Sequence, residues 1–526
     1  MEPLDYVWMG ILAVFQGPEA FSLIGIGISI TLTMVAGGFV MGIVVGATPG
    51  LGGPIAMAIS LPILISAFGF TPDALLPVMG FLIGIMKGAT VGGAVPAILF
   101  NTPGTPDSYM TTLDGYPMAQ RGEAKKALRV AHFASVTGDT FSDIVLILCA
   151  PFLALLVESY LDLPEKTALL ILSLSFIAAV VGGSPGKGLV STGLGLLAVY
   201  VGTGEDFYPR LSLGTETLNR GFPIGAAILG VLILGAVFHQ MAQVYVDRLT
   251  KGAPDIPQPP ASGALSRADI RQLFPTIMRS AAVGTVIGAL PGIGSTLAAT
   301  IGYTTAKARH DRRRAPDALA FGQGVPEGVA ATEAANSSVS GANLIPVLSL
   351  GIPGNTAAVF LILAAESIGG FNPGPSVFKF TVSEVNPELV MAFGLFTCMF
   401  VANFLNWTVG GVFMRSMGFL VRVPKQRLLP VVLVLTLTAI YVQETRMEAV
   451  WFTIAFGILG FGMRLIDMSP LPFVIAFILG AKLEDSARQA FSATGGDPFF
   501  LLTNPIAAVF MAMSVLVIVL ASRRRA

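Results

Sequence analysis

The sequence predicts an all-α polytopic membrane protein made of two inverted-topology repeats, with roughly twelve membrane segments. Three observations carry that prediction. The 526 residues are 54% hydrophobic and only 12% charged, against roughly 25% charged in a soluble domain. The helix-breaking string VVGATPGLGG (Val44–Gly53) returns as VIGALPGIGS (Val286–Ser295). The pattern of charge flanking the two copies is reversed.

The apolar runs are continuous, as in Leu501–Leu520. A membrane barrel would need alternating apolar and polar residues, so the spans are helices. Formal net charge is zero, and no basic surface for nucleic acid is evident. Cys149 and Cys398 lie in apolar segments far apart and read as small buried hydrophobes, not a disulfide or zinc framework. The first twenty residues carry Glu2, Asp5 and Glu19 but no Lys or Arg. That is the wrong charge for a signal peptide, so the first apolar segment is expected to stay in the mature chain.

Short basic loops stay in the cytoplasm. Five such clusters occur: Arg121–Arg129, Arg248–Arg271, Lys307–Arg314, Arg415–Arg427 and Arg523–Arg525. Acidic or neutral loops, including Thr71–Asp73, Glu158–Glu165 and Glu366–Glu388, fall outside. The N-terminus is then expected outside and the C-terminus inside.

The first repeat with its accessory helices is expected over residues 1–250, the second over 251–526. Gly42, Gly46, Pro49, Gly50 and Gly52 align with Gly284, Gly288, Pro291, Gly292 and Gly294. A second motif follows each: VPAILFNTPGTP (Val95–Pro106) and IPVLSLGIPGNT (Ile345–Thr356). In the first half the loop after the first motif lacks positive charge and the loop after the second is basic; in the second half the order is reversed. Positive-inside logic then makes the halves enter the membrane from opposite sides, the construction of many secondary transporters.

A helix stopped inside the membrane survives only within protein or around an aqueous cavity. Its N-terminus offers free N–H groups and partial positive charge, which suits a carboxylate. Freed carbonyls suit a coupling cation, Na⁺ or H⁺. The substrate-binding candidates are therefore Thr48, Gly50, Gly52, Asn101, Thr102, Gly104 and Thr105 in the first half. Their counterparts are Gly292, Gly294, Ser295, Thr296, Asn336, Gly354, Asn355 and Thr356. Single hydroxyls in such places also serve simply to bond their own helix.

Intramembrane ionisable residues are functional candidates. Lys87 reads either as a counter-charge for an anion or as a snorkelling anchor, and Glu333 as a coupling residue. Asp139 and Asp143 share a helix face; they read as a proton or cation relay, or as solvated residues near the basic loop. Arg279 reads as an interface anchor. His132, His239 and His310 form no cluster in sequence. Catalytic triads, zinc spacings and a P-loop are missing, so no enzyme and no resident cofactor are expected, and energy must come from a gradient or a partner.

The strings GATPGLGG, VGGAVPAILFNTPGTPDSYMTTLDGYPMAQRGEAKKAL and GVPEGVAATEAANSSVSGANLIPVLSLGIPGN resemble the large membrane subunit of the tripartite tricarboxylate transporters. The resemblance spans nearly the whole chain. It implies a bacterial cytoplasmic-membrane carrier working with a small four-helix membrane subunit and an extracytoplasmic solute-binding protein. Together these import tricarboxylates or other small organic carboxylates, driven by an ion gradient. A stand-alone carboxylate carrier without a binding protein is the alternative. Lys87, Val91, Ala94, Thr332 and Ser337 depart from the family's usual strings, which bears on substrate choice.

Overall fold

A computed structural model describes residues 3–523 apart from 24, 49–50, 182–183, 204–208, 213–214, 251–264, 292–293, 314–318, 380–384 and 417–424. The expected Gly50 and Gly292 therefore lie outside the described residues. Helices carry nearly all of the described chain. In order they are α1 (Pro3–Phe15), α2 (Ile30–Gly46), α3 (Gly52–Phe68), α4 (Pro72–Phe100), α5 (Tyr109–Gln120), α6 (Ala124–Tyr160), α7 (Leu163–Val181) and α8 (Pro185–Val199). Next come α9 (Glu216–Asn219), α10 (Ile224–Ile228), α11 (Gly235–Thr250), α12 (Arg267–Gly288), α13 (Gly294–Arg313), α14 (Pro326–Ala342), α15 (Leu344–Leu350) and α16 (Thr356–Ile368). The rest are α17 (Pro387–Leu405), α18 (Gly411–Ser416), α19 (Lys425–Glu444), α20 (Met447–Leu465), α21 (Leu471–Ala493), α22 (Phe500–Thr503) and α23 (Pro505–Arg523). The described strands form two short antiparallel hairpins, Glu19–Leu23 with Ile26–Ser29 and Gly202–Thr203 with Pro209–Arg210.

Seven described helices are long and apolar enough to cross a membrane, and five shorter ones are apolar but fall below that length. The shorter set includes α2, α3 and α16. Each of these ends or begins at a Pro-Gly break, so the break itself shortens the apolar run. In the second half, α13 ends in the charged string KARHDRR and α14 reads PEGVAATEAANSSVSGA, which keeps both out of the apolar set.

The chain divides into two compact units, each drawing on both sequence halves. Unit 1 comprises Met1–Ala154, Thr250–Leu290 and Gly294–Leu428; unit 2 comprises Leu155–Leu249 and Leu429–Ala526 with Pro291–Ile293. In unit 2, α21 packs on α7 and α8, and α23 packs on α7. A π-helical turn, Leu229–Leu234, interrupts the α10–α11 span. Such a turn leaves carbonyls without their usual intrahelical partner. The Arg464 guanidinium donates to two carbonyls there, those of Val231 (2.8 Å) and Leu232 (2.9 Å).

Unit 1 is held by helices that touch backbone to backbone. A Cβ placed at Gly42 of α2 would strike the Ile85 carbonyl of α4, and one at Gly46 would strike Ala89. From the other side, Gly84, Gly88 and Gly92 of α4 face the α2 backbone. Between apolar lipid and apolar helix there is no hydrophobic drive, so close van der Waals contact through small residues takes its place. The same pairing recurs in the second half. Gly284 of α12 meets Ala335 of α14, and Gly288 meets Val339. These are the aligned equivalents of the first-half contacts.

Local signals explain the helix ends. Ser266 and Asp269 form a reciprocal capping box that starts α12. Pro72 occupies the first position of α4, where its missing N–H costs nothing. Helix α14 is the exception to amphipathic logic: every residue from Gly328 to Ala342 is buried. Its small side chains admit close neighbours, with Gly138 of α6 packed on the Ala334 carbonyl. One further expectation is corrected. Cys398 is buried, but Cys149 is exposed. It lies on α6, only about a third of whose most apolar stretch is buried; an apolar sequence context marks exposed surface as readily as protein interior.

Candidate functional site

The four breaks form two matched pairs. At the first break of each half, α2 and α12 end through Ala47 and Ala289, both in the right-handed region at φ −72° and −70°. The next helices start at Gly52 (φ +62°) and Gly294 (φ +75°). At the second break, Asn101 and Gly351 adopt the left-handed conformation. The following amides, Thr102 and Ile352, each bond back to the proline carbonyl of the preceding turn, Pro96 and Pro346, both at 3.2 Å. This back-bond spans one residue more than a Schellman closure and so widens the last turn. The chain then folds back on its own helix: Gly104 packs on Gly93, and its equivalent Gly354 packs on Asn343.

Several expected residues come together. Gly104 also meets the Gly46 carbonyl, which joins the first and second breaks of the first half. Thr105 Oγ1 and Ser108 Oγ are hydrogen-bonded at 3.0 Å, both buried. Gly52 approaches the Thr105 methyl group. Thr296, in the first turn of α13, donates to Asp107 Oδ1 at 2.6 Å. That bond brings the second-half first break beside the first-half second break. Asp107 was not singled out from the sequence, although it stands in the string NTPGTPDSY.

Other candidates are engaged locally. Thr48 is buried and donates to the Val44 carbonyl at 2.8 Å, and Thr102 donates to the Phe100 carbonyl. Asn355 caps α16, its Oδ1 accepting the Ala358 amide at 2.9 Å. Asn101 is exposed, whereas Asn336 is buried with no partner for its Nδ2 among the described residues. Asn343, at the α14–α15 junction, has both amide atoms buried and unpartnered among the described residues. It closes the string EAANSSVSGAN, whose hydroxyls and amides the sequence already set beside the breaks.

The ionisable residues are buried inside unit 1. Lys87 is fully buried, neither snorkelling nor free as a counter-charge. Its Nζ lies 3.1 Å from Asp139 Oδ1 and 2.8 and 2.9 Å from the two oxygens of Asp143. Asp139 and Asp143 are likewise fully buried, which corrects the solvated reading. Their ammonium partner comes from α4, 52 and 56 residues earlier in the chain, and no local pattern announces it. Asn403 Nδ2 donates to Asp143 Oδ2 at 2.7 Å, and Ser340 donates to Asp139 Oδ1. Glu333 is held by the hydroxyls of Thr111 and of Ser135, the latter at 3.0 Å.

A third acid explains the string LDGYPMA. Asp114 of α5 is fully buried. Its Oδ1 accepts the backbone amides of Gly322, Gly324 and Val325 at 2.8–2.9 Å, and its Oδ2 accepts the Tyr303 hydroxyl at 3.0 Å. Arg121 donates to the Gln323 and Gly324 carbonyls of the same loop. A first-half carboxylate thereby orders the turn that launches α14.

The profile of the tripartite tricarboxylate transporter TctA family matches residues 32–475, which include all four breaks and both buried acid clusters. An uncharacterized 52.8 kDa protein in the TAR-I ttuC' 3' region of Agrobacterium vitis is 30% identical over 498 residues, covering 92% of this chain and 91% of that protein. An uncharacterized protein in the TAR-II ttuC' 3' region of the same organism is 29% identical over 242 residues, covering 45% of this chain and 93% of that protein. No solved structure matches. With paired helix breaks in a largely helical chain and a family match across nearly its whole length, the chain belongs to the tripartite tricarboxylate transporter TctA family, as the large membrane subunit of such a transporter.

Proposed function

We propose that this chain is the translocating subunit of a binding-protein-dependent secondary transporter. It imports tricarboxylates or other small organic carboxylates by cation-coupled alternating access across a bacterial cytoplasmic membrane. The observation that carries the reading is the recurrence of one broken-helix architecture in both halves. Asn101 and Gly351, Gly52 and Gly294, and the Gly104–Gly93 and Gly354–Asn343 contacts correspond one for one. Together with the reversed loop charges, this supports inverted repeats around a shared site.

The substrate end of that site is read as Thr105, Ser108, Gly104 and Gly52, with Thr296 entering from the other half. Hydroxyl donors suit carboxylate oxygens. Asp107 beside them disfavours a bare anion, so a co-transported cation fits there better than an anion alone. A small membrane subunit and a soluble binding protein complete the transporter in this reading.

The test is uptake into proteoliposomes holding this chain and its candidate small subunit, with labelled citrate and a panel of other carboxylates. Runs with and without the binding protein, under Na⁺ or proton gradients, separate the alternatives. Accumulation that needs the binding protein and one gradient supports the proposal. Uptake without the binding protein overturns the tripartite part, and uptake of none of the carboxylates overturns the substrate class.

A further inference from the structure

We propose that the buried cluster of Lys87, Asp139 and Asp143 is an exchangeable-proton site, with Asp139 as the group that gains and loses the proton. Resting on the transport reading above, it is the site through which a proton gradient drives uptake.

The argument begins with charge. Two carboxylates face one ammonium, all fully buried, so the ionised cluster carries one excess negative charge. An isolated buried charge is costly, and more so at membrane depth. Among the described residues, the cluster's hydrogen-bonded contacts come from four helices. Helix α4 supplies Lys87, α6 supplies both acids, α14 supplies the Ser340 hydroxyl and α17 the Asn403 amide. None of the last two adds a positive charge.

Hydrogen bonding locates the missing charge. Of the four carboxylate oxygens, Asp143 Oδ1 and Oδ2 and Asp139 Oδ1 accept bonds. Asp139 Oδ2 is buried and has no partner among the described residues, and neither has Asn403 Oδ1. Both orphans are acceptors. What they lack is a hydrogen or a cation, not another acceptor. Hard metal cations gather about six oxygens, and two orphan acceptors fall far short. A single proton on Asp139 Oδ2 converts carboxylate to carboxylic acid and removes the excess charge.

The position also suits a proton path. On α6, Ser135 and Asp139 are one turn apart; on α14, Glu333 and Ser340 are two turns apart. Ser135 bonds Glu333, and Ser340 bonds Asp139. Between these rungs, Asn336 Nδ2 and Ser337 Oγ are buried without partners among the described residues. The two helices thus present a polar ladder roughly 10 Å long, from the helical rise of 1.5 Å per residue.

Two measurements test the proposal separately. Infrared spectra of the purified full chain in lipid, recorded against pH, read protonated carboxyl groups without any transport. A carboxylic-acid carbonyl band should be present in the wild type, retained in Glu333→Gln, lost in Asp139→Asn and shifted in Asp139→Glu. An Asp139→Asn spectrum identical to wild type overturns the proton site. In proteoliposomes with labelled citrate, Asp139→Asn should equilibrate substrate downhill yet lose accumulation under a proton gradient, with Asp139→Glu restoring part of it. Equal accumulation by wild type and Asp139→Asn, or wild-type accumulation driven by Na⁺ alone and insensitive to pH, overturns the coupling role. If the wild type transports nothing, the transport reading fails while the infrared result still decides the proton site.

Discussion

Asn101 and Gly351 hold equivalent positions in the two halves and end their helices in the same left-handed conformation, at φ 51° and 71°. Only glycine, and less readily asparagine, reaches this region without strain. Each residue turns the chain out of its helix at the point where the Pro-Gly segment must fold back. The two residues differ chemically, but the backbone demand is the same.

That demand predicts unequal tolerance. Asn101→Gly should leave the thermal midpoint of the purified protein unchanged or slightly raised. Asn101→Val should lose roughly 1–2 kcal/mol through the left-handed penalty. Gly351→Ala should lose more, because its Cβ would also strike the Pro373 carbonyl. Equal midpoints for Asn101→Val and wild type would contradict the conformational argument.

The glycine contacts between α2 and α4 predict a positional pattern. Gly42→Leu and Gly88→Leu should abolish a monodisperse peak in size-exclusion chromatography, since the opposing atoms are backbone that cannot move aside. Gly186→Ala and Gly462→Ala meet nothing within 4 Å and should behave as wild type. If Gly42→Leu folds normally, the close packing of α2 on α4 is wrong.

Asp114 should be among the costliest single losses in unit 1. Asp114→Ala removes the acceptor from three backbone amides and the Tyr303 hydroxyl. Unsatisfied buried donors of this kind cost at least about 3 kcal/mol in sum. Limited proteolysis should cut Asp114→Ala near residues 319–325 before wild type is touched. Asn keeps one acceptor oxygen, so Asp114→Asn should fall between the two.

A pH dependence follows at the basic end of α13. Partial burial lowers the His310 value, but the Glu327 carboxylate 2.7 Å away and the Leu319 carbonyl outweigh it, so the net shift is upward. A histidine raised above its ordinary value of about 6.5 stabilises the fold fully below that value. The contribution disappears as pH rises through the raised folded value. Hydrogen exchange over residues 319–327 should therefore accelerate from mildly acidic to mildly alkaline pH, beyond the intrinsic change in exchange rate. Glu327→Gln should flatten that difference.

Much of the candidate site is legible in local chemistry. Proline beside glycine marks the breaks because one lacks an N–H and the other permits positive φ, and both properties belong to single residues. Thr105, Gly104, Gly52 and Thr296 were identifiable for the same reason. Asp107, Asp114 and Asn403 were not, although Asp114 stands in a string whose family likeness was plain. Asp107, Asp114 and Asn403 act through partners far along the chain: Thr296 for Asp107, the Gly322–Val325 turn for Asp114, and Asp143 for Asn403.

By itself the sequence determined the helical membrane class, the family and the places where helices must break, because hydropathy, proline and glycine act within a turn or two of their own position. Only the tertiary structure decided what the buried charges do. Lys87 could be read as a free counter-charge until α6 set Asp139 and Asp143 against it. Glu333 likewise acquires its surroundings from Thr111 and Ser135, 222 and 198 residues away. A buried charge is defined by the groups that neutralise it, and those arrive only when distant helices pack.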